Sequence, residues 1–252
     1  IDIARTAVLA AGWPETIPGV TVDRQCGSSQ QSVHFAAAGV VAGHYDAVIA
    51  GGVESMSRTP MGASLASGGN PYPASFKSRY ERTPNQGIGA EMMATKWGLT
   101  RTQLDQFSLD SHEKAGAAQD SGAFDDQIVG IKDPEGNVVL SDEGIRRGTT
   151  LEKMAQLKPA FSEDGVIHAG NSSQISNGCG ALLFMSAEKA KSLGLKPIAR
   201  VHTACLAGAD PVMMLSAPIP ATQKALARSG LSIDDIGVFE VMRGARAAGR
   251  RR

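Results

Sequence analysis

Cys26 is the side chain of this sequence whose type and setting most invite covalent chemistry. Gly27, Ser28 and Ser29 follow it and are small enough for a tight turn, after which Val33, Ala36, Ala37, Val40 and Val41 recur with helical spacing up to Ala42. A thiol at the start of a helix meets the positive end of the helix dipole and nearby backbone N–H groups, which stabilise the nucleophilic thiolate. Two readings stand on these residues alone, a nucleophile or a buried, inert cysteine. Cys179 and Cys205 complete an odd set without a C-x-x-C pair, which points to a reducing compartment, the cytoplasm, and to no structural zinc. His34, His44, His112, His168 and His202 show no metal-ligand spacing, and His34 reads as a packing residue of the helix after Cys26. Gly87-Ile88-Gly89 lacks the third glycine of a dinucleotide fingerprint and follows no strand. Asn171-Ser172-Ser173 has the form of a glycosylation sequon, which is irrelevant in a reducing compartment.

The elements that must hold Cys26 follow from the hydrophobic pattern. A helix is expected over residues 1–12, closed by Gly12 and Pro14, and a short strand over Val20 to Val22 leading into the Cys26 turn. After the helix, Ala47-Val48-Ile49-Ala50 reads as a buried strand ending in Gly51-Gly52. Strand, turn, helix, strand is the order of a doubly wound α/β sheet. From about Ser55 to Pro84 the chain turns to Ser, Gly, Pro, Met and Tyr without periodicity, a length that signals a functional loop or an inserted unit. Helices are expected over Gly87 to Lys96 and from a Thr100/Gln103 capping box to about Gln119. Asp133-Pro134-Glu135-Gly136-Asn137 predicts a hairpin between Ile128–Ile131 and Val138–Leu140. Later strands are expected over Ala181 to Met185, Pro197 to Cys205 and Ile236 to Val241, with helices over Ala187 to Ser192 and Ala221 to Arg228.

Composition narrows the classes. With 42% hydrophobic and 20% charged residues in 252, the chain has enough apolar surface for a core and too little charge for disorder. No apolar run approaches the roughly 20 residues that span a bilayer, and no signal peptide opens the chain, so a membrane partner is not expected. Aromatics at 5% leave few rings for stacking single-stranded nucleic acid, so no nucleic-acid partner is expected. Equal numbers of acidic and basic residues conceal an asymmetry. Arg243, Arg246, Arg250, Arg251 and Arg252 crowd the last eleven positions, leaving 20 basic against 25 acidic residues elsewhere, a net charge of −5. That basic segment reads either as an arm for an anionic partner or as a tail foreign to the fold.

Val22-Asp23-Arg24-Gln25-Cys26-Gly27-Ser28-Ser29-Gln30-Gln31, followed by Gly51-Gly52-Val53-Glu54-Ser55-Met56-Ser57, resembles the nucleophile segment of the thiolases, the acetyl-CoA acyltransferases and acetyltransferases. Ala169-Gly170-Asn171-Ser172-Ser173-Gln174-Ile175-Ser176 is similar to a second thiolase motif and Leu157-Lys158-Pro159-Ala160-Phe161 to a third. The likeness runs in order from Ile3 to about Val241. It implies a thiolase-like fold of doubly wound sheets with an inserted α-rich loop domain. The partial N-terminal core would comprise residues 1–56 and 174–196, the loop domain 57–173, a partial C-terminal domain 197–241, and the foreign basic tail 242–252. It also implies that Cys26 accepts the acyl group, that Arg146 lies near the CoA nucleotide, and that Phe161, Ala169 and Ser173 line the adenine and pantetheine. Asn85 and Gln86 fall where biosynthetic thiolases carry His-Met against the pantetheine end, a departure suggesting a degradative, longer-chain specificity. His168, adjacent to Ala169, reads as a bystander. Asn177-Gly178-Cys179 stands where the family has Asp-Gly-Ala, so Cys179 reads as a small core residue.

Departures from the family pattern shape the functional expectation. After Glu240 the family continues with Asn-Glu-Ala-Phe, a Gly-His-Pro segment whose histidine activates the nucleophile, and a second catalytic cysteine. This chain continues with Met242-Arg243-Gly244-Ala245, and no histidine follows His202. The family's opening strand-helix-strand is also not matched, so the sequence resembles the middle of a thiolase, apparently truncated at both ends. The resemblance implies thiolytic cleavage of a 3-oxoacyl-CoA or the reverse Claisen condensation, incomplete in this chain. It implies CoA as substrate and no cofactor, acyl-CoA as small-molecule partner, and a homodimer or homotetramer. The alternatives are a non-catalytic acyl-CoA or lipid binder and an inert gene fragment.

Overall fold

A computed structural model describes residues 1–66 and 68–241. The basic segment expected to be foreign, residues 242–252, lies outside the described residues. The described chain forms two compact units, Ile1–Met61 with Ser176–Ala204, and Gly62–Ile175 with the segment from Cys205 onward.

The first unit is built on two long strands, β1 (Ala47–Ser55) and β4 (Asn177–Met185), paired antiparallel from Ala47 opposite Met185 to Ser55 opposite Asn177. Helix α2 (Ser28–Val41) packs on this pair. Gly52 makes the close approach possible, since a Cβ there would lie 2.6 Å from Ser29 Cβ. Ser32 Oγ in turn donates to Gly51 O at 3.0 Å. The other sheet face carries Ile49, Val53 and Leu183, all exposed. Helix α1 (Ile3–Ala10) starts on Asp2, whose carboxylate accepts from Ala4 and Arg5 N–H, and α7 (Ala187–Ser192) follows β4.

The second unit is α-rich. After the short α3 (Ala74–Lys77), helix α4 (Gln86–Trp97) and helix α5 (Arg101–Asp120) form its centre, with a core of Ala90, Met93, Ala94, Leu104 and Ile167. The capping box forms as expected: Thr100 N–H donates to Gln103 Oε1 at 3.0 Å and Gln103 N–H to Thr100 Oγ1 at 3.3 Å. The hairpin also forms, as β2 (Ile131–Lys132) and β3 (Val138–Val139). Asp133 clasps its turn by accepting from Asn137 N–H and Nδ2, which holds its carboxyl below the usual value. Helix α6 (Leu151–Ala155) packs on α5, and α8 (Pro218–Ser229) follows later in the chain.

Three expected strands do not form. Val20 to Val22 is instead fastened to the start of α1, where Thr21 Oγ1 accepts from Ile3 N–H at 2.9 Å and donates to Asp2. Pro197 to Cys205 and Ile236 to Val241 also run without a ladder. A strand needs a ladder for its backbone groups, and among the described residues no β-ladder includes these segments; Ile198 and Val238 are correspondingly exposed. β4 begins four residues earlier than expected because Asn177 to Gly180 continue the register with Ser55 to Gly52.

Candidate active site

Cys26 sits two residues before α2, with Gly27 as the cap residue. The preceding chain is not the expected strand, so the junction is a loop-to-helix turn, and its hydrogen bonds define it closely. Gly27 N–H donates to Arg24 O at 3.0 Å, Ser28 N–H to Gln25 O at 3.1 Å, and Gln25 N–H to Asp23 Oδ1 at 2.8 Å. Ser28 Oγ accepts from Arg24 N–H at 2.9 Å and donates to Gln25 O at 2.6 Å. Gln25 takes a φ of 49°, a left-handed conformation that is uncommon for a residue with a side chain. The turn therefore fixes the backbone on both sides of Cys26, and the thiol itself is exposed. Exposure rules out the buried, inert reading. Gly27 supplies no side chain to cap the first turn of α2, and the thiol stands beside the start of that helix.

The residues expected to hold CoA all belong to the second unit. Asn85 caps α4, its Oδ1 accepting from Ile88 N–H at 3.1 Å, and Gln86 opens that helix. Phe161 rests on the next residue, Gly87, where a Cβ would fall 2.2 Å from the ring; the glycine is what lets an aromatic plane lie beside Gln86. Arg146 and Arg147 divide sharply. Arg147 is occupied by Asp120, at 2.8 and 2.9 Å, and by Gln119 Oε1 at 2.9 Å. Arg146 engages through its backbone N–H, which donates to His112 Nδ1 at 3.2 Å; its guanidinium is exposed and makes no hydrogen bond or ion pair with the described residues. Gln174 Nε2 donates to Gly144 O, which ties the turn bearing Arg146 to the segment bearing Ser173. An exposed guanidinium beside a hydroxyl-bearing loop suits a phosphorylated ligand.

Sequence reasoning missed what holds this loop. His168, read as a bystander, is fully buried. Its Nε2 lies 2.7 Å from Asp105 Oδ1, and its Nδ1 accepts from Gly170 N–H at 3.0 Å. Asn171, also buried, donates through Nδ2 to Asp105 Oδ1 at 3.1 Å and to Val166 O at 2.8 Å. Arg101 Nε pairs with Asp105 Oδ2 at 3.1 Å, and its Nη2 donates to Met154 O and Leu157 O. Glu91 of α4 completes the frame by accepting from Val166 and Ile167 N–H at 3.0 and 2.9 Å. Burial lowers the His168 pKa, outweighing the opposing pull of Asp105. The one signal in the sequence was Asp105 on the apolar side of a helix, where an acid demands a partner.

The remaining thiols are not brought to Cys26 by any described contact. Cys179 is exposed on β4 opposite Val53, not a core residue, because nothing described covers that sheet face. Cys205 is half-buried, with Sγ 3.2 Å from Ala221 O. Among the described residues no group of three or more His, Cys, Asp or Glu is arranged to hold a metal ion, and no helix is long and apolar enough to cross a membrane.

The family model described as thiolase, N-terminal domain, matches residues 1–188, and that described as thiolase, C-terminal domain, matches residues 195–248. The second match enters the arginine-rich segment. A steroid 3-ketoacyl-CoA thiolase of Mycobacterium tuberculosis is 43% identical over 248 residues, covering 95% of this chain and 60% of that protein. The 3-ketoacyl-CoA thiolases of Saccharophagus degradans and Psychrobacter cryohalolentis are each 43% identical, over 95% and 96% of this chain and 62% of each relative. The chain thus spans about three fifths of the length of these relatives. With the Cys26 turn, the loop motifs and matches over most of its length in agreement, the chain belongs to the thiolase family.

Proposed function

We propose that this chain supplies the nucleophile and the CoA-holding loops for thiolytic cleavage of a 3-oxoacyl-CoA, or for the reverse Claisen condensation of acetyl-CoA. The observation that carries the reading is the exposed Cys26 in a hydrogen-bonded turn against the first turn of α2. In the cleavage direction the Cys26 thiolate attacks the C3 carbonyl, and the C2–C3 bond breaks with its electron pair on C2. That carbon takes a proton and departs as acetyl-CoA, leaving the acyl group on Sγ as a thioester. The thiolate of a second CoA then attacks the thioester carbonyl and frees Cys26. Electrons and protons balance with thiol chemistry alone, so CoA is required as a substrate and not as a resident cofactor.

Arg146 is assigned to the CoA nucleotide because its cation is exposed while Arg147 is committed to Asp120. Phe161, Ala169 and Ser173 are assigned to the adenine and pantetheine, and Asn85 and Gln86 to the far end of the pantetheine. The domain assignment is an N-terminal core of residues 1–56 and 174–196, a loop domain of 57–173 and a C-terminal portion of 197–241. Self-association into a dimer or tetramer is proposed from the exposed apolar face of β1 and β4. Residence in the cytoplasm is proposed from three unpaired cysteines.

The test is mass spectrometry of the Cys26 peptide after incubation with acetoacetyl-CoA, beside iodoacetamide labelling, in wild type and Cys26→Ala. An acetylated and alkylatable Cys26, with both modifications lost in the variant, supports the reading. CoA binding by calorimetry without any thioester at Cys26 overturns it in favour of a non-catalytic acyl-CoA binder.

A further inference from the structure

The segment from Ala169 to Ser173 is held from beneath by one fully buried imidazole. Its hydrogen bonds assign its tautomer. Nδ1 faces the N–H of Gly170 and so must accept, while Nε2 faces a carboxylate and so must carry the proton. The charged groups around it come from two helices: Asp105 and Arg101 from α5, already paired with each other, and Glu91 from α4, which is engaged by Val166 and Ile167 N–H. With the imidazole neutral, both of its ring nitrogens have a partner. A second proton would go onto Nδ1 and set an N–H against the Gly170 N–H, donor against donor. The ring is fully buried and held at Nε2 by Asp105, so the Gly170 peptide has to turn away, and the segment it belongs to moves with it.

We propose that His168 is the positioning residue of the Ala169–Ser173 segment, holding it for CoA as the neutral Nε2–H tautomer and releasing it when Nδ1 is protonated. This rests on the reading that the segment contacts CoA, but the hold itself is a property of the ligand-free chain. The loop's affinity for CoA is then coupled to one buried proton. A single-proton linkage weakens binding by at most about tenfold per pH unit below the titration of the imidazole.

The experiment compares the full wild-type chain with His168→Gln, whose amide still donates to Asp105 but cannot titrate. Nitrogen NMR of the histidine rings reports the tautomer at neutral pH, amide exchange reports Gly170 protection at pH 7 and pH 5, and calorimetry reports CoA affinity at both. The expected result is an Nε2–H ring, Gly170 protection that falls on acidification in wild type alone, and a loss of CoA affinity steeper in wild type than in the variant. That difference sets aside the titration of CoA's own phosphates. Gly170 protection unchanged between the two pH values, or an Nδ1–H ring, overturns the proposal. Those two measurements on wild type decide it even if the variant does not fold. If Gly170 is released by acid while CoA binds at neither pH, the CoA reading of the segment fails and the hold by His168 stands.

Discussion

Arg147 is locked to Asp120 and Gln119 whereas Arg146, one residue earlier, presents its guanidinium to solvent, so substituting each in turn separates binding from folding. Arg146→Ala should weaken CoA binding by calorimetry and leave the melting temperature unchanged. Arg147→Ala should lower stability by no more than about 1 kcal/mol, the usual ceiling for an exposed ion pair, because both partners are half exposed or more. His168 makes a different demand. Its folded pKa lies below the ordinary value, so between that folded pKa and about pH 6.5 the unfolded chain binds the extra proton and the native state does not. Stability is fully present above pH 6.5 and falls as pH drops through that window, by at most about 1.4 kcal/mol per pH unit for this one group. Thermal melts at pH 7 and pH 5 should show the fall in wild type and a smaller one in His168→Gln.

The elements are where glycines set the tolerances. A Cβ at Gly52 would meet Ser29 Cβ in the first turn of α2, and that turn adjoins Cys26. Gly52→Ala should therefore destabilise the first unit by roughly 1–3 kcal/mol, the range for overpacking, and alter the rate of Cys26 alkylation, which stopped-flow labelling reads directly. Much at this scale was legible in advance. The Thr100 box, the Asp133 hairpin and the helix after Cys26 are local, set by caps and turn residues within a few positions. What was not legible depends on distant partners. Val20 to Val22 has the composition of a strand, yet its backbone has no described ladder to join and is fastened to α1 by Thr21. His168 could not be matched to the acid that needed it for the same reason, since Asp105 lies 63 residues before it. Cys179 likewise sits in a strand whose outward face no described element covers.

At the scale of the whole molecule, the exposed apolar residues of the first unit carry the consequence. Ile49, Val53 and Leu183 lie on one face of a two-stranded sheet, a surface that favours association. Light scattering should show the purified chain as a dimer or larger species, with the fraction assembled rising with concentration. A monodisperse monomer across micromolar concentrations would count against self-association through this face.

The pairing of β1 with β4 has a temporal side. Ser57 and Asn177, which bond at the end of the ladder, are 120 residues apart in the chain, and the entire α-rich stretch is made between them. At ribosomal speeds of about 5–20 residues per second, β1 waits on the order of 6–24 s before its only described partner emerges. Throughout that interval Ala47-Val48-Ile49-Ala50 is an unpaired, uncharged strand, the kind of segment that pairs with whatever edge it meets. Closing a loop of that length carries an entropy penalty that the local caps and turns of the chain do not meet. Slowed translation after β1 should then lower the soluble yield of this chain far more than the same delay placed after β4.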